Sequence, residues 1–238
     1  MLNIAIICGG PSRERGISLN SARSFLDHTS SLDLCLTVFY VNPKGAYYQL
    51  TPGQLYSNTP SDFDFKLAQN ATPLNETSLI ARLLGVDLVF PLIHGTYGED
   101  GALQQFLETH RIPFVGASSR VCRTIFNKYL ARKMLMENGF QTLPSMAVIS
   151  KEASIASFWK QHGLKQAIVK PTESGSSIGV TSVKSIEAAQ SAIALLWEQG
   201  FREILIEPYC EDAEFTICVL ESHEGFPQAL IPLEIDIG

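Results

Sequence analysis

The stretch IVKPTESGSSIGV, residues 168–180, decides how the rest of the chain is interpreted. Apolar residues predict a strand that Lys170 closes, and a loop of glycine and serine then leads into a second strand. The loop's backbone N–H groups and hydroxyls, with the nearby ammonium, are the donors that a polyphosphate needs. Gly175 and Gly179 let the backbone bend without a Cβ atom in the way. The alternative is a flexible hairpin loop; a Walker A loop and a dinucleotide-binding turn are excluded because no helix follows.

The composition indicates a soluble globular protein. The chain has 238 residues, 45% of them apolar, and a net charge of −6, which suits one large domain or two small ones. Its mild acidity and the lack of any Lys/Arg block argue against nucleic acid or an anionic membrane as a partner. No apolar run approaches the ~20 residues of a membrane span. Five cysteines without a C-x-x-C pair predict reduced thiols and a cytoplasmic protein.

The first part of the chain has an α/β pattern with a parallel sheet. A helix is predicted from Leu19 to Leu26 with Ser18 as its N-cap. Residues 42–77 are rich in proline and glycine, and they predict short strands within a poorly defined insertion. We therefore expect an α/β domain at residues 1–116. Its main strands are predicted at residues 2–8, 34–41, 86–93 and 113–116.

The second part predicts an α+β lobe at residues 117–209. It begins with one long helix at 118–138, which Gly139 ends. An antiparallel sheet backed by helices at 154–162 and 185–199 is expected to follow. A last segment, residues 210–238, begins a further lobe. Its strands are predicted at residues 214–220 and 228–235.

Four further stretches raise the significance of the glycine-rich loop. They are GGPSRERGISL at 9–19, HGTYGEDG at 94–101, Lys128 on the long helix, and the pair EPY at 207–209 with EFT at 214–216. In this order and at this spacing, the combination resembles the D-alanine–D-alanine ligases of the ATP-grasp superfamily. The resemblance implies a parallel-sheet pre-ATP-grasp domain followed by an α+β ATP-grasp lobe, with the last ATP-grasp lobe mostly missing.

The resemblance implies substrate roles for four residues. Glu14 matches the glutamate that holds the amino group of the first D-alanine, and a carboxylate can do so by a charge-assisted hydrogen bond. Ser176 matches the loop serine that bonds toward that glutamate and helps to close the loop, so both are predicted to be catalytic. His94 matches a histidine near the substrate carboxylate, and Glu99 is predicted to orient its ring. The ordinary alternatives are a surface glutamate at a helix N-terminus and a structural histidine.

The resemblance also implies an ATP site. Lys128 and Lys170 match two lysines that contact ATP phosphates, although Asn127 precedes Lys128 where the family more often has aspartate. The alternative for Lys128 is an ordinary lysine on the solvated face of a helix. Lys170 lies in an apolar strand, where an unpaired charge would be costly, so a function is favoured there. If they do not bind ATP, Glu207 and Glu214 would be outward-facing residues of an antiparallel sheet. The implied ATP-binding residues are Lys128, Lys170, Ser176, Ser177, Glu207, Tyr209, Cys210 and Glu214.

The resemblance implies that the chain uses ATP and Mg²⁺ or Mn²⁺ as cofactors and D-alanine as substrate. It also implies that the protein forms a homodimer. The metal ligands of the family lie in a region that follows the last match here, so no metal ligand is assigned and Asp236 carries no such role. ATP would phosphorylate the first D-alanine, and the second would attack the acyl phosphate. We expect D-alanyl-D-alanine for peptidoglycan synthesis, with little turnover from a truncated chain of 238 residues.

Three alternatives remain at this stage. The segment KGAYY at 44–48 resembles longer ligases that include D-lactate users, so another ATP-grasp ligase is the nearest. A non-catalytic nucleotide-binding fragment is the second. A plain α/β module is the third, and it would require every motif match to be accidental.

Overall fold

The computed structural model describes residues 1–30, 32–56, 59–150, 153–211 and 213–235. Its first sheet is built around the apolar strand that opens the chain. Parallel pairing joins this strand to β2 on one side and β4 on the other, while β3 is an antiparallel edge strand beside β2. The strands are β1 (Leu2–Gly9), β2 (Leu34–Val41), β3 (Tyr47–Leu50) and β4 (Leu88–Pro91). The predicted strand at 113–116 is reduced to a single bridge between Phe114 and Val89.

Helices cover both faces of this sheet, because its strands are apolar on both sides. They are α1 (Arg15–Thr29), a short 3₁₀ helix (Pro52–Leu55), α2 (Pro60–Asn70), α3 (Glu76–Leu83) and α4 (Ala102–Thr109). The prediction of Ser18 as an N-cap is wrong, since α1 starts three residues earlier. Ser18 is buried, and its hydroxyl donates to the Leu92 carbonyl and accepts from the Gly9 N–H. It thereby ties α1 to β1.

The insertion predicted at 42–77 contains an unpredicted helix. The hydroxyl of Thr59 accepts a hydrogen bond from the N–H of Asp62, and Pro60 occupies the first helical position. Both features are ordinary helix-start signals. Because the surrounding segment is rich in proline and glycine, its composition predicted no helix.

The single helix predicted at 118–138 is two helices, α5 (Ser119–Phe126) and α6 (Lys128–Glu137). Asn127 breaks it with an extended backbone, and its side-chain oxygen accepts hydrogen bonds from the N–H groups of Tyr129 and Leu130. The side chain therefore caps a new helix, a role in which asparagine competes well with helix continuation. Lys128 is consequently the first residue of α6 rather than an interior helix residue.

The second sheet is antiparallel throughout, as predicted, with strand order β5-β8-β6-β7. Helices α7 and α8 pack on the face that carries Val169 and Ile206. The sheet's other face carries Lys170 and Glu207, because side chains alternate along a strand. The elements are β5 (Met146–Val148), α7 (Ile155–Gln161), β6 (Ala167–Pro171), β7 (Thr181–Val183), α8 (Ile186–Glu198) and β8 (Ile204–Pro208).

The last segment forms two separate two-stranded ribbons, so the long strands predicted at 214–220 and 228–235 are wrong. Each predicted strand is divided between two partners, and Pro232 lacks the N–H that a continuous ladder would need. The strands are β9 (Glu214–Thr216), β10 (Val219–Glu221), β11 (Pro227–Ala229) and β12 (Leu233–Ile235). Asp236 lies outside the described residues. Across the described ranges, none of the helices has the length and apolarity needed to span a membrane.

Candidate active site

Glu14 lies where the opening turn meets α1, and its carboxylate joins two distant parts of the chain. The Ser176 hydroxyl donates to Glu14 Oε1 at 2.5 Å across 162 residues of sequence. Gly95 and Gly175 face the same carboxylate so closely that a Cβ atom would lie 2.4 Å and 2.9 Å from its oxygens, respectively. The glycines thus leave room for Glu14, and the serine fixes its direction.

The glycine-rich loop joins β6 to β7 and folds into a tight turn. The Ile178 N–H donates to the Gly175 carbonyl at 3.0 Å, and the Val180 N–H donates to the Ser177 carbonyl at 3.2 Å. Ser176 and Ser177 have φ angles of 47° and 56°, in the left-handed region that residues with a Cβ seldom occupy. Consecutive residues in this region turn their N–H groups toward a common side, a geometry suited to an anion.

His94 is held through both ring nitrogens. Nδ1 lies 3.2 Å from Glu99 Oε1, and Nε2 lies 2.9 Å from the hydroxyl of Ser21 on α1. The hydrogen bond to Glu99 raises the pKa of His94, and burial offsets part of that rise. The same bond lowers the pKa of Glu99. The imidazole is therefore biased toward its cationic form, which can attract a carboxylate or a phosphate.

The two lysines approach the loop from different elements. Lys128 Nζ donates to the Ser174 carbonyl at 2.6 Å and to the Thr172 carbonyl at 3.4 Å. Burial lowers its pKa, and the charge of Lys170 lowers it further. Lys170 Nζ makes an ion pair with Glu207 Oε1 at 2.6 Å. One lysine thus supports the loop backbone, and the other is bound to a buried carboxylate.

The remaining predicted ATP-binding residues lie at and beyond the end of β8. Glu207 is only 6% exposed, so the alternative of an outward-facing sheet residue is wrong for it. The Tyr209 N–H donates to the Gln166 carbonyl at 3.1 Å and is already engaged. Cys210 and Glu214 are exposed, the latter at the start of β9. The structure therefore joins the two lysines with Glu207 and the loop, whereas it leaves Cys210 and Glu214 at the surface.

Two cavities meet at the loop and give the site its volume. One of about 330 Å³ is lined by Glu14 together with Ser174 and Gly175. The other, of about 610 Å³, is lined by His94, Lys128 and the same two loop residues. Volumes of this order suit small ligands, which usually occupy concave sites where a few polar groups converge. Glu14 and His94 of the predicted substrate site therefore line cavities that adjoin at the loop, and Lys128 of the predicted ATP site lines one of them.

Sequence reasoning missed several residues that position this site. The Ser12 hydroxyl donates to the His94 carbonyl at 2.7 Å and accepts from the Glu14 N–H, so it links both motifs. Its place two residues before Glu14 was a usable signal, since serine often bonds the backbone two residues on. Nothing in the sequence indicated the long-range partners of the others. They are Ser21, Asn127 and Arg132.

The family resemblance implies a divalent metal, and the described part of the chain does not fit one. Within those ranges no group of three or more histidine, cysteine, aspartate or glutamate side chains is arranged to hold a metal ion. Mg²⁺ prefers carboxylate oxygens and water in octahedral geometry. We therefore derive no step through a metal.

Two protein-family models together match most of this chain. The model of the D-ala D-ala ligase N-terminus matches residues 3–117, and the model of the D-ala D-ala ligase C-terminus matches residues 134–237. This chain belongs to the D-alanine–D-alanine ligase family. The resemblance drawn from the motifs is thereby confirmed, and so is the α/β fold class with its ATP-grasp architecture.

Two curated relatives and a solved structure each match between 81% and 99% of the chain. A D-alanine–D-alanine ligase of Corynebacterium aurimucosum is 29% identical over 98% of this chain and 68% of its own length. The vancomycin C-type resistance protein VanC2 of Enterococcus casseliflavus is 33% identical over 81% of this chain and 58% of its own. The solved D-alanine–D-alanine ligase of Coxiella burnetii superposes with a TM-score of 0.87 at 27% identity, covering 99% of this chain and 71% of that one. The chain thus spans about two thirds of the length of these relatives.

Proposed function

We propose that this chain provides the ATP and first-substrate sites of a ligase that joins two D-alanines into D-alanyl-D-alanine for peptidoglycan synthesis. The observation that carries the proposal is the hydrogen bond from Ser176 to Glu14. It joins the glycine-rich loop to the opening turn, and Lys128 supports that same loop from α6. A nucleotide held by the loop would therefore lie beside an amino acid held by Glu14.

Glu14 supplies a carboxylate for the ammonium group of the first D-alanine. The cationic form of His94, which Glu99 favours, supplies a positive charge for its carboxylate. Together these groups recognise both ends of an amino acid. Charge-assisted hydrogen bonds of this kind are shorter and stronger than neutral ones.

Lys128 and Lys170 supply positive charge for the phosphates of ATP, with Ser177 and the loop amides as further donors. The γ-phosphoryl group passes from ATP to the D-alanine carboxylate, which becomes an acyl phosphate, and ADP is released. The amine of a second D-alanine attacks the acyl carbon, and inorganic phosphate leaves. A loop closed by Ser176 excludes water that would hydrolyse the acyl phosphate. Mg²⁺ or Mn²⁺ remains part of the proposal for the whole enzyme, with ligands beyond those described.

The assignment of Tyr209, Cys210 and Glu214 to adenine and ribose stays a prediction. So do the domain limits at residues 1–116, 117–209 and 210–238, a homodimer, and a cytoplasmic location. A D-alanine–D-lactate ligase or another ATP-grasp ligase is the second candidate function. It is favoured by the segment KGAYY at 44–48, which resembles longer ligases that include D-lactate users. Profiling of D-alanine, D-serine and D-lactate as second substrates distinguishes the two.

Calorimetry on the purified chain tests the proposal. We expect saturable binding of ATP and of D-alanine, with L-alanine bound more weakly, and loss of D-alanine binding in Glu14→Gln. The exposed Glu76→Gln, on α3, is the matched control and should bind like the wild type. A wild-type chain that binds neither ATP nor D-alanine would overturn the proposed function. Binding of both ligands without phosphate release, in a chain joined to the remainder of a relative, would favour a non-catalytic binder.

A further inference from the structure

One buried carboxylate holds two cations on the face of the second sheet that looks toward α6. Glu207 pairs with Lys170 Nζ at 2.6 Å through Oε1, and the Arg132 guanidinium contacts its Oε2. The exposed fractions of the side chains are 7% for Glu207, 19% for Lys170 and 20% for Arg132. The three groups therefore form a largely buried ion cluster with one negative and two positive charges.

The register of the sheet explains why these side chains meet. In the antiparallel pair of β6 and β8, Ile168 lies opposite Glu207 and Lys170 lies opposite Leu205. Lys170 and Glu207 are thus diagonal neighbours on one face, within reach of long side chains. Arg132 comes from α6, one turn after Lys128, so both cations project from the same side of that helix. The Leu143 carbonyl accepts a further bond from Arg132 at 3.4 Å.

The cluster sets a condition on any phosphate that Lys170 would bind. A lysine that turns its ammonium from a carboxylate toward a phosphate weakens or gives up its ion pair with the carboxylate. Without a second cation, the departure of Lys170 would leave the buried Glu207 carboxylate unpaired, which is energetically costly. Arg132 removes that cost because it stays on Oε2 while Lys170 turns away. Arginine suits this task since its charge is permanent and its donors are fixed in a plane.

We propose that Arg132 is a positioning residue that keeps Glu207 neutralised while Lys170 moves to the polyphosphate of a bound nucleotide. This inference rests on the proposed function, because it takes Lys170 to be a phosphate contact. It goes beyond that function in giving Arg132 a task in nucleotide binding. It also gives the Glu207 carboxylate a task as counter-ion, in addition to any contact with adenine.

The test is the affinity of the full 238-residue chain for ATP and for adenosine, measured by calorimetry on matched variants. Arg132→Ala should weaken ATP binding at least 10-fold while changing adenosine binding less than 3-fold, since adenosine makes no demand on Lys170. Arg132→Lys should recover part of the ATP affinity. Lys133→Ala is the control: it removes an equal charge one residue away, on a side chain that is 66% exposed, and should leave both affinities unchanged.

A second variant keeps the test decisive if Arg132→Ala folds poorly. Glu207→Gln in the Arg132→Ala background removes the charge that would be stranded, so the ratio of ATP affinity to adenosine affinity should return to within 3-fold of the wild-type ratio. ATP binding by Arg132→Ala at wild-type strength would overturn the inference alone. Equal loss of ATP and adenosine binding would overturn it too, since it would indicate a merely structural role. A wild-type chain that binds no ATP would overturn the proposed function and the inference together.

Discussion

Replacing Gly175 by alanine should displace Glu14 without unfolding the chain. A Cβ atom at this position would lie 2.9 Å from both carboxylate oxygens of Glu14 and 3.2 Å from its Cδ. That is about half an ångström inside ordinary contact, which begins at 3.4 Å. The carboxylate is the far end of a flexible side chain, so it can move away, but it then leaves the 2.5 Å bond from Ser176.

The size of the effect follows from the interactions at stake. The backbone of Gly175 lies outside the left-handed region, so alanine is tolerated there, and loss of the solvent-exposed Ser176 bond should lower the free energy of unfolding by less than about 2 kcal/mol. A displaced Glu14 also loses its proposed hydrogen bond to the D-alanine ammonium, and loss of a hydrogen bond to a charged group costs about 1.5–3 kcal/mol of binding free energy. D-alanine affinity should therefore fall by about 10- to 150-fold.

Calorimetric titration with D-alanine and urea unfolding measure the two quantities separately. Gly53→Ala is the matched control, because Gly53 also lies outside the left-handed region and a Cβ there would meet nothing within 4 Å. The reasoning is refuted if Gly175→Ala binds D-alanine within 2-fold of the wild type. It is also refuted if the variant loses more than about 2 kcal/mol of unfolding free energy, since the defect would then be one of folding.

Two further predictions concern charges beside the loop. The His94 pKa, measured by NMR titration, should lie above about 6.5 in the wild type and fall in Glu99→Gln. The raised His94 pKa stabilises the folded chain below about pH 6.5, and this contribution is lost as the pH rises through the pKa of His94 in the folded state. The lowered Glu99 pKa contributes stability that is lost as the pH falls through the pKa of Glu99 in the folded state. An unshifted His94 in Glu99→Gln would contradict this. Asn127→Asp keeps the helix cap but loses hydrogen bonds of 2.9 Å and 3.0 Å to Glu173 and Glu203, so urea unfolding should show a loss of about 1–3 kcal/mol that shrinks at acid pH. Asn127→Ala should lose about 1 kcal/mol more, and a fully stable Asn127→Asp would refute the account.

The sequence predicted the fold where its signals were local. The apolar run of β1 and the strand that ends in Lys170 were predicted because burial on a sheet leaves a visible pattern along the chain. Asn127 was missed as a helix break, since a capping side chain competes with helix propensity by only about 1 kcal/mol. The ribbons around Pro232 were missed because their pairing partners, rather than their own residues, set their limits.

The candidate site was predictable as a set of residues but not as a set of contacts. Motifs indicated Glu14, Ser176 and Lys128, and the fold bonds Ser176 to Glu14 and places Glu14 and Lys128 in two cavities that share Ser174 and Gly175. No local pattern indicated that Glu207 would be buried between two cations, because Arg132 reaches it from another element. Contacts of that kind depend on how a helix is placed over a sheet, and that placement is a property of the folded chain.

The most direct test of the account is a double-mutant cycle on the free energy of unfolding with Ser176→Ala and Glu14→Ala. The account predicts a coupling energy of at least about 0.5 kcal/mol, because the two side chains contact each other across the cleft. Additive effects of the two substitutions would contradict it, since they would mean that the loop and the opening turn do not form one site in solution.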